Sequence, residues 1–505
     1  MLGAKIKVAY PVLLVLAGLL ISLIPGLPEL HIESELIFII FLPPLLYDAA
    51  WQISWKELWR WRRIIGSFAF LVVFFTALVV ALTVNYFIPG FSLPLGFLLG
   101  AIVSPPDAVS AGAILKFVKV PRRVSSILEG ESLLNDASSL IIFRFALIAV
   151  ATGNFVWHEA AMSFFWMLTG GVGTGLALGY VFMKLHKYLP TDANADIVLT
   201  LVTPHAMYIT AEEFHSSGVL AVVSGGLFLS YHRFAFLSST SRLRGINVWE
   251  SLCFILNGLV FMFIGLDLPQ ITAGLEGVSL FTAICYGLLV AVVLILVRLL
   301  SSFAAVFVTL VARNYITVAD SRHPGFKVPV LLGWAGMRGV VSLAAALSIP
   351  VYMANGALFP QRNLILFISF IVILATLLLQ GLTLPYMIRK LDLPDPDRLR
   401  SDEEAYNAMK KELARYALEK LETNYGPELE TQPLLQQMAG KWRDKGLSAE
   451  DVMMAEETKA VYRDLLDLQR EWLIKRNKDD NIIDEALVKK HLLYLDLEEE
   501  KLRFV

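Results

Sequence analysis

The stretch Glu129-Gly-Glu-Ser-Leu-Leu-Asn-Asp-Ala-Ser-Ser139 sets Glu131, Asn135 and Asp136 inside an apolar run that continues to about Ala151. A membrane helix would carry Leu and Val at those places. Helix geometry stacks Glu131 on the same side as Asn135, and Ser132 on the same side as Asp136, each pair four residues apart. The last basic residue before the run is Arg123. At about 1.5 Å per residue, Asp136 lies roughly 20 Å along such a helix, near the middle of a bilayer core about 30 Å thick. An ionisable group at that depth is costly and marks a functional site whose partner lies elsewhere in the chain.

The composition agrees with a membrane setting. The 505 residues are 56% hydrophobic and 17% charged, with a mean hydropathy of +0.62, whereas soluble chains are about 25% charged. The charge is uneven. Apolar runs follow one another to Leu391, and the remainder is dense in Glu, Lys, Asp and Arg. This predicts a membrane domain over 1–391 and a cytoplasmic helical tail over 392–505. The net charge of −2 averages over both parts, and no nucleic-acid partner is expected. Cys253 and Cys285 both sit in apolar runs, with neither metal spacing nor a disulfide framework. Lys5, Lys7 and the run from Val8 to Ile24 mimic a secretory signal, but no Ala-x-Ala site follows and further spans begin at once. The chain shows no nucleophile–base set, phosphate loop or metal spacing, so neither an enzyme nor a cofactor is expected.

Hydropathy and breakers predict twelve spans, at about 9–25, 35–54, 64–88, 93–116, 124–151, 159–188, 195–213, 216–232, 248–266, 279–311, 328–348 and 363–388. The tenth is long enough to be one tilted helix or two short ones. The basic residues sort by loop. Lys5, Lys7, Lys56 to Arg63, Lys116 to Arg123, Lys184, Lys187, Arg233 to Arg244, Arg313 to Lys327, Arg389 and Lys390 fall on one side. The opposite loops carry Arg362 with Glu29, Glu33, Glu159 and Glu276. The positive-inside rule then puts both termini in the cytoplasm.

Two spans are abnormal. The fourth, Gly100-Ala-Ile-Val-Ser-Pro-Pro-Asp-Ala-Val-Ser110, holds a proline pair and an acid. The eleventh, Gly333-Trp-Ala-Gly-Met-Arg-Gly-Val-Val-Ser342, holds three glycines around an arginine. Proline removes a donor and glycine weakens a helix, so both read as broken helices. Freed backbone at mid-membrane persists only against protein or a wet cavity. A pair of interrupted spans in matching halves points to a secondary transporter's binding site. The eleventh span is fifth in the set from 195 to 388. The fourth takes the same place in its own set if one helix is missing at the start. An inverted six-plus-six repeat results, with its first helix absent from this chain and 159–188 linking the halves. In the tail, Ser401-Asp-Glu-Glu404 reads as a capping box, with helical periodicity near 402–424, 449–475 and 482–503.

Six blocks in order resemble the sodium/proton exchanger family (cation/proton antiporter family 1), its bacterial members most. They are Phe41-Leu-Pro-Pro-Leu-Leu-Tyr-Asp48, Ser104-Pro-Pro-Asp107, Gly130-Glu-Ser-Leu-Leu-Asn-Asp136, Ala211-Glu212 to Ser217-Gly218, Asn257 to Gly265, and Trp334-Ala-Gly-Met-Arg-Gly339. The resemblance implies an all-α inverted repeat with a scaffold that dimerises and a core that moves. It implies a multi-pass protein of the bacterial inner membrane that acts as a homodimer. Asp136 is then the transport carboxylate. A carboxylate taken out of water holds its proton to higher pH, and a sodium ion on the same group favours the ionised form. Ser132 offers a hydroxyl, and the backbone near Pro106 a carbonyl, as oxygen ligands for Na⁺. Asp107 is the acid of the helix crossing, and Asp48 an acid near the ion. Asn135 is the family's marker for electroneutral exchange. Glu131 and Arg338 are expected to form a buried salt bridge, since either alone in hydrocarbon would cost several kcal/mol. Glu212 reads as an access funnel or a solvated helix end, and Arg144 and Arg298 as snorkelling or paired.

The resulting expectation is an electroneutral antiporter exchanging Na⁺, K⁺ or Li⁺ for H⁺ by alternating access. Its rivals are a cation channel and a non-transporting sensor that signals through the tail. No Thr-Val-Gly-Tyr-Gly filter occurs, and broken helices favour a carrier.

Overall fold

Long apolar segments in a bilayer satisfy their backbone groups within themselves, so they fold as helices. The computed structural model describes residues 10–22, 24, 34–107, 120–153, 157–275, 277–312, 325–353, 356–393, 402–447, 456–479 and 485–501. It separates into two compact units, Met1–Asp397 and Arg398–Val505.

The first unit holds α1 (Tyr10–Ser22), α2 (Ser34–Gln52), α3 (Trp55–Gly66), a π-helical segment (Ser67–Val72), α4 (Val73–Phe87) and α5 (Leu93–Val103). It continues with α6 (Arg122–Thr152), α7 (Trp157–Tyr188), α8 (Ala193–Glu213), α9 (Gly218–Phe236), α10 (Ser239–Ala273) and α11 (Leu280–Ala312). It ends with α12 (Lys327–Trp334), α13 (Val340–Leu347) and α14 (Arg362–Leu391). Among the described residues, seven helical stretches are each long and apolar enough to cross a membrane: Trp55–Phe87, Arg122–Thr152, Met162–Tyr188, Gly218–Phe236, Ser239–Ala273, Leu280–Val311 and Arg362–Leu391. The first, second, fourth, seventh and eleventh expected spans are not among these seven, and the first and fourth appear as the shorter apolar helices Leu13–Ser22 and Leu93–Val103. The eleventh expected span is two half-helices, α12 and α13. The helix of the fourth ends at Val103, and residues 108–116 of that span lie outside the described residues, as does Met1 to Lys7. The third expected span starts early, at the Trp- and Arg-rich α3. The tenth is one unbroken helix, α11.

Two apolar cores form. One joins α3 to α6 with α10 to α14, through residues such as Ile65, Leu98, Ile127, Phe261, Leu294, Leu331 and Ile365. The other joins α2, α7, α8 and α9, through Leu46, Met167, Met207 and Val222. Helix α6 serves both. Val124, Ile127 and Phe143 enter the first core, and Leu133, Ala137 and Ile141 enter the second. The chain thereby places the Asp136 helix along the seam between two packed bodies. The α1–α10 crossing is tight, because a Cβ on Gly18 would strike the carbonyl of Met262 and one on Gly265 that of Val15. Small residues let membrane helices approach this closely.

The second unit holds α15 (Asp402–Asn424), α16 (Gly426–Thr431), α17 (Pro433–Leu447), α18 (Glu456–Asp479) and α19 (Glu485–Lys501). Sequence periodicity missed α16 and α17. Ser401 of the expected capping box lies outside the described residues. Leu466 and Leu495 are buried together between α18 and α19. Arg470 bridges the same pair through Asp496 at 2.9 Å and Glu499 at 2.5 Å.

Candidate functional site: a buried carboxylate at two interrupted helices

Helix α5 stops because Pro105 and Pro106 follow it, and α12 stops at Trp334, after which the chain is non-helical through Gly339 before α13 begins. The two breaks meet. The Asp107 N–H donates to the Met337 carbonyl at 2.7 Å. In the other direction, Arg338 Nη1 donates to the Ser104 carbonyl at 2.6 Å. The Arg338 N–H reaches Thr376 Oγ1 of α14 at 3.3 Å. Backbone groups released by the breaks are thus met across the crossing, as a low-dielectric interior requires. A Cβ on Gly339 would fall inside the Asp107 carboxylate. Gly339 is therefore there for close approach, and it brings Asp107 to the N-terminus of α13, where a negative charge is favoured.

Helix α6 passes this crossing. Asn135 is fully buried, and its Nδ2 donates to the Pro106 carbonyl at 3.1 Å. Its Oδ1 is buried without a hydrogen-bond partner among the described residues. Asp136 is 6% exposed, and Asp107 lies close enough for the two charges to interact. Ser138 Oγ bonds the Ala69 carbonyl. Ala69 lies in the π-helical segment, whose altered register accompanies this contact to α6; such segments recur at functional sites. Ser132 is half-buried one turn before Asp136.

The expected pairing of Glu131 with Arg338 is corrected by the geometry. Glu131, fully buried, takes both guanidinium nitrogens of Arg298 from α11, through Nη1 to Oε1 and through Nη2 to Oε2 at 2.6 Å. The Arg298 guanidinium also lies 5.1 Å from the centre of the Phe68 ring. Arg338 is spent instead on the carbonyl that the helix break leaves open, which needs a donor on the spot. Arg298, the one arginine within the apolar α11 run, reads from the sequence as snorkelling or paired; the structure pairs it with Glu131. Thr376 and Ser138 carried no such signal, because a hydroxyl in a membrane helix ordinarily bonds its own preceding turn.

Two further expected residues have partners of their own. Asp48 accepts from Gln52 Nε2 at 2.7 Å, and the acid near it is Glu250. Both line a cavity of about 530 Å³ between α2, α8, α9 and α10, with Trp51, Trp249 and Arg233. Glu212 is partly exposed and held on both oxygens. Its Oε2 accepts from Arg144 of α6 at 2.9 Å, and its Oε1 from the N–H of Gly218 at 3.1 Å, which opens α9.

A family model described as sodium/hydrogen exchanger, transmembrane, matches residues 1–390. The chain belongs to the sodium/hydrogen exchanger family. It is similar to the sodium, potassium, lithium and rubidium/H⁺ antiporter of Bacillus pumilus, at 34% identity over 76% of this chain; the match spans 58% of that protein's length. It is also similar to an uncharacterized Na⁺/H⁺ exchanger of Mycobacterium tuberculosis, at 32% identity over 99% of this chain and 93% of that one. A third relative is the low-affinity Na⁺/H⁺ antiporter NhaS1 of Synechocystis, at 32% over 78% of this chain and 72% of that one. The fold is that of the sodium proton antiporter MjNhaP1 from Methanocaldococcus jannaschii, with a TM-score of 0.59 at 22% identity, covering 77% of this chain and 94% of that one. In this exchanger fold the end of α5, the break between α12 and α13 and the Asp136 helix meet at one place. Among the described residues no group of three or more His, Cys, Asp or Glu side chains is arranged to hold a metal ion.

Proposed function

We propose that the protein is an electroneutral antiporter that exchanges Na⁺, K⁺ or Li⁺ for H⁺ across the bacterial inner membrane. The observation that carries this reading is the position of Asp136: buried at the crossing of two interrupted helices, on the helix shared by two apolar cores. One carboxylate there holds a proton or a cation, and exclusion of one by the other couples the two fluxes. Ser132, the Pro106 carbonyl and the unpaired Asn135 Oδ1 supply neutral oxygens beside it, the donor type that hard cations take. Asp107 braces the α13 terminus and adds negative charge to the site. One acid that exchanges one charge for one charge gives electroneutral transport.

The cavity holding Asp48 and Glu250 serves as the cytoplasmic vestibule, where carboxylates raise the local cation concentration. Both termini lie in the cytoplasm, the protein works as a homodimer, and 392–505 forms a cytoplasmic tail. The names of the curated antiporter relatives support the cation class. The test is proton flux in proteoliposomes carrying a lumenal pH dye, on adding Na⁺, K⁺ or Li⁺, with and without the membrane potential clamped. Cation-driven proton movement that clamping leaves unchanged is expected. Cation flux without proton coupling would make the protein a channel, and neither flux would leave a sensor.

A further inference from the structure

On α6 the fully buried residues packed into the α2–α7–α8–α9 body are Leu133, Ala137 and Ile141, a stripe at helical spacing, with Leu134, Leu140 and Phe145 beside them. Such a stripe carries no directional bond and resists sliding only through packing. Arg144 extends it by one turn. Its Nη2 meets Glu212 Oε2 at 2.9 Å, with side chains 42% and 32% exposed. Among the described residues between Leu133 and Ile148, it is the side chain of α6 that hydrogen-bonds this body. Glu212 is well anchored on its own side, because its other oxygen holds the Gly218 N–H at the start of α9, where the helix terminus favours a carboxylate. Tyr208, 9% exposed, lies beside the pair. The bond therefore joins the Asp136 helix to a fixed point on the opposite body, about two turns beyond Asp136. The cavity with Asp48 lies toward the other end, among the basic residues Arg233 and Arg242.

We infer that the Arg144–Glu212 ion pair is the outer gate of the transporter: it holds the seam shut on the side opposite the basic loops and breaks whenever Asp136 turns to that side. The inference rests on the antiporter reading above. A partly exposed pair contributes little enough to open in every cycle and enough to bias the resting state. Asp136 itself never exchanges bonds with the pair; the gate acts through the position of α6.

The test uses the full chain with Cys253→Ala and Cys285→Ser, and a reporter cysteine at Leu140→Cys, a half-buried residue between Asp136 and Arg144 that touches both cores. In proteoliposomes, a membrane-impermeant maleimide is added on one side and then the other. Arg144→Gln, which leaves the Glu212 cap on Gly218 in place, is expected to raise labelling from the outer side about two- to fivefold. Glu212→Gln, which keeps an oxygen for Gly218, is expected to do the same. Arg144→Lys, which keeps a cation facing Glu212, is expected to hold labelling near the parent. Apparent KM is expected to fall for the outer cation and rise for the inner one, a split that mere loss of stability does not produce. Unchanged outer labelling in both single glutamine variants overturns the gate. Loss of coupled flux in the parent chain strikes the antiporter reading instead, and the labelling comparison still decides whether the pair closes the seam.

Discussion

At residue scale, Asp136 and the Glu131–Arg298 pair divide the work between chemistry and structure. Asp136→Asn keeps the shape and the hydrogen-bonding capacity but removes the exchangeable charge. Cation-driven proton flux is expected to vanish, with the melting temperature close to the parent's; surviving flux would move the site elsewhere. Glu131→Ala strands the Arg298 guanidinium, and Arg298→Ala strands a buried carboxylate. Either is expected to cost about 3–5 kcal/mol, the usual penalty for an unpaired buried charge. Arg298→Met combined with Glu131→Leu should recover much of that loss in a thermal melt, and a double variant as unstable as the singles would show that the pair is not an isolated unit. Gly339→Ala tests the crossing. The new methyl needs the volume of the Asp107 carboxylate, so a loss of about 1–3 kcal/mol and reduced flux are expected. Unaltered stability would mean that Asp107 moves aside at no cost.

At element scale, the broken helices matter because each leaves backbone groups that the other accepts. The clasp of Asp107 N–H on Met337 and Arg338 on Ser104 ties α5 to the α12–α13 break. The π-helical segment adds a further tie through Ser138 and Ala69. Ser138→Ala is expected to cost about 1 kcal/mol, the typical net worth of one hydrogen bond, as measured by the urea midpoint in detergent. It should slow exchange without changing cation preference. An altered preference would place Ser138 among the ion's ligands.

At the scale of the whole molecule, the seam between the two cores is where alternating access has to act, and it contains both Asp136 and the gate pair. Competition at one carboxylate fixes a pH dependence. On the acid side of the site's titration the proton occupies Asp136, and the apparent KM for the cation rises by about tenfold for each pH unit lowered on that side. On the alkaline side it levels off. A KM that ignores pH throughout would rule out a shared site. The tail is a separate compact unit, so a chain ending at Asp397 is expected to keep coupled flux, and loss of its fold would show that the tail completes the membrane unit.

Sequence by itself determined the membrane class, most of the helical segments, the end of α5 and the break between α12 and α13, because length, apolar runs and Pro or Gly placement act locally. It also singled out Asp136, since a mid-depth acid is costly in any fold. Tertiary structure alone decided which charges meet. Among the described residues Glu131 had two buried arginines to choose from, and Arg298 took it because Arg338 was needed at the open Ser104 carbonyl. Glu212 could equally have faced water, and Arg144 of a distant helix captured it. Asp48 shared the sequence signal of a mid-run acid, yet packing turned it to the cavity beside Glu250. Pairing of charges depends on which helix faces lie together, and helical spacing within one segment carries no information about the neighbour.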